Sequence, residues 1–114
     1  MSRRLERVNE LLRHELSQLV AHELHDPRIP LLVTITRVES SVDLRYARVY
    51  ISVMGDSVEK SETMDALRSA AGFLRRTLKP RLVMRHIPIL SFRLDESIEE
   101  GSRMFRAIEE FPGT

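Results

Sequence analysis

Between residues 66 and 94 the chain carries Arg68, Arg75, Arg76, Lys79, Arg81, Arg85 and Arg93 and no aspartate or glutamate. The chemistry open to such a set is the binding of anions, since guanidinium groups make charge-assisted hydrogen bonds to phosphate and carboxylate oxygens. The flanks offset the charge. Asp56, Glu59, Glu62 and Asp65 precede the run, and Asp95, Glu96, Glu99, Glu100, Glu109 and Glu110 follow it, so the formal net charge is only +1. A near-neutral chain with one basic segment can still present a focused positive field to a polyanion. Arg3, Arg4 and Arg7 form a second basic patch. They fall in the first turns of a predicted helix, the end at which the helix dipole disfavours cations by roughly a few tenths of a kcal/mol.

Other chemistries find less support. His22-Glu23-Leu24-His25-Asp26 has the look of a metal motif, but its second histidine stands three residues on, where the His-Glu-x-x-His zinc pattern needs four. A plain helix terminus explains it better, and no metal is expected. No phosphate-cradling glycine loop, activated nucleophile or convergent carboxylate pair is present, so an enzyme, a cofactor and a small-molecule substrate are not expected. The chain has no cysteine. That removes disulfides and thiolate metal sites and fits a reducing compartment. The N-terminal arginines are followed by spaced rather than continuous apolar residues, unlike a signal peptide or a membrane span. A cytoplasmic protein with no membrane partner is expected.

These residues must be positioned by a small set of elements. At 114 residues the chain is one domain's length. Residues 1–111 are expected to form it, with 112–114 as a short tail. Leu5, Val8, Leu12, Leu16, Leu19 and Leu24 recur at three-to-four spacing, which predicts a helix from Ser2 to about His25, ended by Asp26-Pro27. Residues 32–40 and 44–54 are rich in β-branched residues. In the second, Ala47, Val49, Ile51 and Val53 alternate with Arg48, Tyr50 and Ser52, so the two form a hairpin around residues 40–43. Helical spacing returns from Val58 to Leu78, where Lys79-Pro80 is predicted to kink or divide the helix. Residues 87–94 form a third strand, and a last helix is expected from Asp95, carrying Ile98, Met104 and Ile108. The result is an α+β domain with one face of a small sheet covered.

On a straight central helix, Arg68, Gly72, Arg75 and Lys79 fall on one stripe, a quarter-turn from the apolar stripe of Leu67, Ala71, Leu74 and Leu78. Gly72 then sits inside the basic stripe. A glycine there costs about 1 kcal/mol against alanine. It either lets another backbone approach, for which a phosphodiester chain is the natural candidate, or lets two helices pack closely at a bend.

In order and spacing the chain resembles the bacterial ribosome-binding factor A family. The resemblance is carried by Asp26-Pro27-Arg28, Thr34-Ile35-Thr36-Arg37-Val38, Asp43-Leu44, Ala47-Arg48-Val49-Tyr50-Ile51-Ser52-Val53, Ala70-Ala71-Gly72-Phe73-Leu74-Arg75, Pro88-Ile89-Leu90-Ser91-Phe92, Asp95-Glu96-Ser97 and Gly101. It implies a KH-like fold of type II in which an Ala-x-Gly kink, here Ala70-Ala71-Gly72, replaces the usual Gly-x-x-Gly loop. It further implies a monomer that binds the immature small ribosomal subunit late in assembly, touches its RNA near the neck, and supports 5′-end maturation, especially in the cold. With the charge pattern, this gives an expected RNA-binding set of Arg3, Arg4, Arg7, Arg68, Ala70, Gly72, Arg75, Arg76, Lys79, Arg81 and Arg85. A protein-docking module that uses its helix pair against a partner is the alternative.

Overall fold

The structure is a computed structural model, which describes residues 3–29 and 33–97. The elements run α1 (Arg3–His22), β1 (Val33–Ser40), β2 (Tyr46–Val53), α2 (Ser57–Ser69), α3 (Ala71–Leu78), a single 3₁₀ turn (Lys79–Arg81) and β3 (Ile89–Leu94). This is the expected α+β order. Ser2 and the C-terminal helix expected beyond Ser97 lie outside the described residues.

β1 and β2 pair antiparallel and β2 and β3 pair parallel, giving a three-stranded sheet of order β1-β2-β3. The helices bury their leucines on one face of it. Leu12, Leu16 and Leu19 of α1, Leu67 of α2, and Leu74 and Leu78 of α3 meet Ile35, Val38, Val49, Ile51, Val53, Leu90 and Phe92 of the sheet. Truncating any of these leucines to alanine removes about 2–5 kcal/mol. Ile35 and Val38 are three apart yet both buried, which strict alternation forbids. A bulge between Ile35 and Arg37 absorbs the extra residue, Thr36.

Local chemistry sets the joints. α1 stops at His22 rather than near His25, because Glu23 and Leu24 both donate to the Leu19 carbonyl and close the helix. Asp26 then accepts the backbone N–H and the guanidinium of Arg28, while the Arg28 carbonyl receives the buried Thr63 hydroxyl at 3.0 Å. The Asp-Pro-Arg segment is thereby a self-closed turn held against α2. The β1–β2 turn places Leu44 at φ 60°, and Gly55 at φ 147° leads from β2 to α2, whose first turn is capped by Asp56 and Glu59 in a reciprocal box.

The central helix divides at a different place from the one proline suggested. The break is at Ala70, which ends α2 and begins α3 at φ −87°, ψ −2°. Pro80 does not kink a continuing helix; it sits inside the terminal 3₁₀ turn after α3 has ended at Leu78. Its missing N–H needs no helical partner there.

Candidate nucleic-acid interface

The division at Ala70 changes what the basic stripe does. Arg68 on α2 donates to the Phe92 carbonyl at 3.2 Å, and Arg75 on α3 donates to the Ile87 carbonyl at 2.9 Å. The Phe92 carbonyl belongs to β3, an edge of the sheet, and the Ile87 carbonyl lies two residues before that strand begins. Two of the four stripe residues therefore brace the helix pair against that side of the sheet, Arg68 with its side chain still exposed. Arg75 is half-buried, and its Nε is fully buried without a hydrogen-bond partner.

Gly72 lies between them, exposed. A Cβ built on it would meet only the Arg76 guanidinium, at 3.3 Å, which is the mobile end of a side chain. Gly72 has no positive φ, and no helix or strand among the described residues packs against it. Tight packing and special backbone geometry, the structural grounds for a glycine, are absent at this position. Arg76 reaches back over Gly72, and Lys79 is exposed beyond it. Ala70, the other half of the kink, is half-buried against the core.

Arg81, expected at the interface, turns toward α1, where its guanidinium lies 3.6 Å from Glu15 and 3.6 Å from Glu23. It ties the end of α3 to α1 and brings little free charge to an external anion.

Arg4 and Arg85 come together from distant parts of the chain. They line an open groove of about 780 Å³, together with Arg45, Tyr46 and Arg75. The α1 start supplies Arg4 and Val8, the β1–β2 turn supplies residues 43–46, and the segment after α3 supplies residues 83–87. Its one acid, Asp43, is engaged. The Ser41 hydroxyl donates to it at 2.7 Å, and this bond, with the backbone N–H and charge of Arg45, holds the carboxyl below its usual range. Val83, Tyr46 and Ile89 are exposed along the groove, at 105%, 58% and 49%. Arginines alternating with exposed apolar and aromatic surface suit a strand with phosphates on one side and bases on the other. Arg3 and Arg7 are exposed on the same first turns of α1 as Arg4.

The sequence expectations missed Arg45, Tyr46 and His86 at this groove. Tyr46 begins the polar register of an alternating strand, a signal that could have placed it outside the core. Arg45 and His86 sit in connecting segments whose path no periodicity reports. Among the described residues, no three His, Asp or Glu side chains converge as a metal site, and no helix is long and apolar enough to cross a membrane.

A three-stranded sheet carrying three helices on one face, with a kinked pair between β2 and β3 and basic surface at the kink, defines a KH-like domain. The family model for ribosome-binding factor A matches residues 4–108. The chain belongs to that family. It is 45% identical over 107 residues to ribosome-binding factor A of Acetivibrio thermocellus, covering 94% of this chain and 87% of that protein. It is 47% identical over 98 residues to the Clostridium novyi protein of the same name, covering 86% and 81%. The crystal structure of ribosome-binding factor A from Thermus thermophilus is similar with a TM-score of 0.73 at 26% identity, over 82% of this chain and 97% of that one. A Thermus thermophilus ribosome binding factor A homology model, fitted into the cryo-EM map of a 30S–RbfA complex, is similar with a TM-score of 0.58 at 29% identity, over 75% and 93%.

Proposed function

We propose that this chain is an assembly factor that binds the immature small ribosomal subunit through its RNA and supports late maturation, including 5′-end processing and growth in the cold. It acts as a cytoplasmic monomer without catalysis of its own. The observation that carries this is the exposed Gly72 beneath Arg76, a glycine the fold does not need, on the same α3 that contributes to the arginine-lined groove. The related protein fitted in a 30S complex supports the choice of partner. Arg3, Arg4, Arg7, Gly72, Arg76, Lys79 and Arg85, joined by Arg45, meet the RNA; Arg68, Arg75 and Arg81 hold the elements that present them.

The test is binding to purified immature small subunits across a salt series. Counterion release gives a log–log slope near 0.9 per phosphate contacted, so roughly 4–7 contacts should give a steep response. Affinity-purified protein should bring down free small subunits and not intact ribosomes, and RNase should abolish the capture. A flat salt response with RNase-resistant capture would replace RNA by a protein partner.

A further inference from the structure

The face of the sheet opposite the helices carries its own row of recognition groups, away from the kink and beyond the groove, which it meets at Tyr46 and Ile89. Strand register sets Arg37 of β1, Tyr50 of β2 and Arg93 of β3 side by side across all three strands. Arg37 is there because of the bulge. With Ile35 in the core, unbroken alternation would send Arg37 inward; the extra residue Thr36 reverses the phase, so Val38 buries and Arg37 emerges. The bulge is pinned, since the Thr36 hydroxyl donates to Asp95 at 2.6 Å. Arg37 then lies over the Tyr50 ring, 4.1 Å from its centroid, and its side chain remains 58% exposed. Arg48, two residues before Tyr50, and Arg93 are exposed beside it.

The facing acids are few. Glu39 is 3.5 Å from Arg37 and 4.0 Å from Arg48, and the Asp95 carboxylate is committed to Thr36 and to the Ser97 N–H. Three arginines against one shared glutamate leave the face basic. The described chain leaves β3 toward α2, where Glu96 is 3.9 Å from Lys60, and no described helix covers this face.

We propose that this open face binds single-stranded RNA, with an unpaired base stacking on the outer plane of Arg37 above Tyr50 and flanking phosphates taken by Arg48 and Arg93. A guanidinium already stacked on an aromatic ring is a rigid platform, and bases stack on such planes without sequence preference. A duplex cannot use it, because its bases are already stacked on one another. The proposal rests on the RNA-binding function above and adds to it a second, strand-selective surface.

The experiment compares the full chain with Arg37→Ala, Arg93→Ala and Tyr50→Leu. Each is titrated with a single-stranded ribo-oligonucleotide of about ten nucleotides, with a hairpin duplex, and with small subunits. Thermal melts run in parallel. Arg37→Ala and Arg93→Ala alter exposed side chains, so they report even if Tyr50→Leu fails to fold. The expected result is a loss of single-strand affinity of about tenfold in Arg37→Ala, with duplex affinity reduced about twofold at most. Equal losses on both RNAs in Arg37→Ala reduce the row to general electrostatics and overturn the stacking site, whereas Arg93→Ala, a phosphate contact, should weaken both to a similar degree. Unchanged single-strand affinity alongside weakened subunit binding overturns the RNA occupant in favour of a ribosomal protein. If the parent chain binds subunits and loses them on Gly72→Glu but not on these variants, only this second surface is refuted. If the parent chain binds no RNA at all, both readings fail.

Discussion

At the kink, Gly72 lies exposed with the Arg76 guanidinium above it, whereas one residue before Arg76 the Arg75 guanidinium is half-buried and bonded to Ile87. The two arginines have the same charge, the same helix and adjacent numbers. One is free to meet an outside anion; the other satisfies a backbone carbonyl beside an edge strand. Charge type therefore says little about role until each side chain's partner is known. The same contrast separates Arg85, at the groove, from Arg81, held between Glu15 and Glu23.

The contrast can be broken most sharply at Arg75. Arg75→Ala removes a charge-assisted bond to the Ile87 carbonyl, and should destabilise the fold by about 1.5–3 kcal/mol in denaturant melts. Arg76→Ala should leave the same melts unchanged within about 0.5 kcal/mol. Equal effects would erase the distinction between the two. Gly72→Glu comes next. Its side chain adds bulk and negative charge where phosphate is proposed, so subunit affinity should fall at least tenfold, about 1.4 kcal/mol, with little change in the thermal midpoint. A lowered midpoint with normal binding of the folded fraction would return Gly72 to a packing role. Arg85→Ala ranks third, removing one phosphate contact from the groove. The salt slope should drop by about 0.9 and affinity near 0.15 M salt by about fivefold, with the melt unaltered.

Smaller effects sharpen the same picture. Gly72→Ala meets only the flexible Arg76 tip, so the gain in helix propensity should raise stability by about 0.5–1 kcal/mol in the same melts. The last test is at Asp95. The Thr36 hydroxyl first, and then Ser97, hold its carboxyl down to about 2 from an ordinary 3.8. A depressed pKa stabilises the fold above the unfolded value and loses that contribution as pH falls from about 4 toward 2. The group lies near solvent, so the contribution is ~1 kcal/mol or less. The stability gap between the parent and Asp95→Asn should narrow over that window, measured by urea melts at successive pH values. A gap that persists at pH 2 would assign the contribution to hydrogen bonding of the neutral group.

The order of elements was legible because each rests on a local signal. Leucine spacing in α1, alternation in β2 and the Asp56–Glu59 cap of α2 all act within a few residues of chain. Family resemblance pointed to Ala70-Ala71-Gly72 as the kink, while proline chemistry alone pointed to residue 80. Pro80 belongs to the 3₁₀ turn beyond the end of α3, whereas at the break at Ala70 α2 buries Met64 and Leu67 and α3 buries Leu74 and Leu78 against the sheet, and that is a long-range matter.

The candidate site divides along the same line. Composition determined that this chain carries one acid-free basic segment, and the exposed kink glycine was singled out from its place among arginines. Periodicity treated the central helix as straight and so put Arg68 and Arg75 on a solvent stripe. Only the fold showed that Arg68 reaches the Phe92 carbonyl of β3 and Arg75 the Ile87 carbonyl just before it. Only the fold brought Arg4, Arg45 and Arg85 to one groove, because the three lie far apart along the chain and meet through packing of α1, the hairpin turn and the path into β3. A one-residue bulge at Thr36 decided which way Arg37 points, and Asp95, fifty-nine residues away, holds that bulge in place. Local sequence fixes backbone preferences at about 1 kcal/mol per residue or less; the direction of a side chain on the finished surface is set by partners that the sequence places anywhere along the chain.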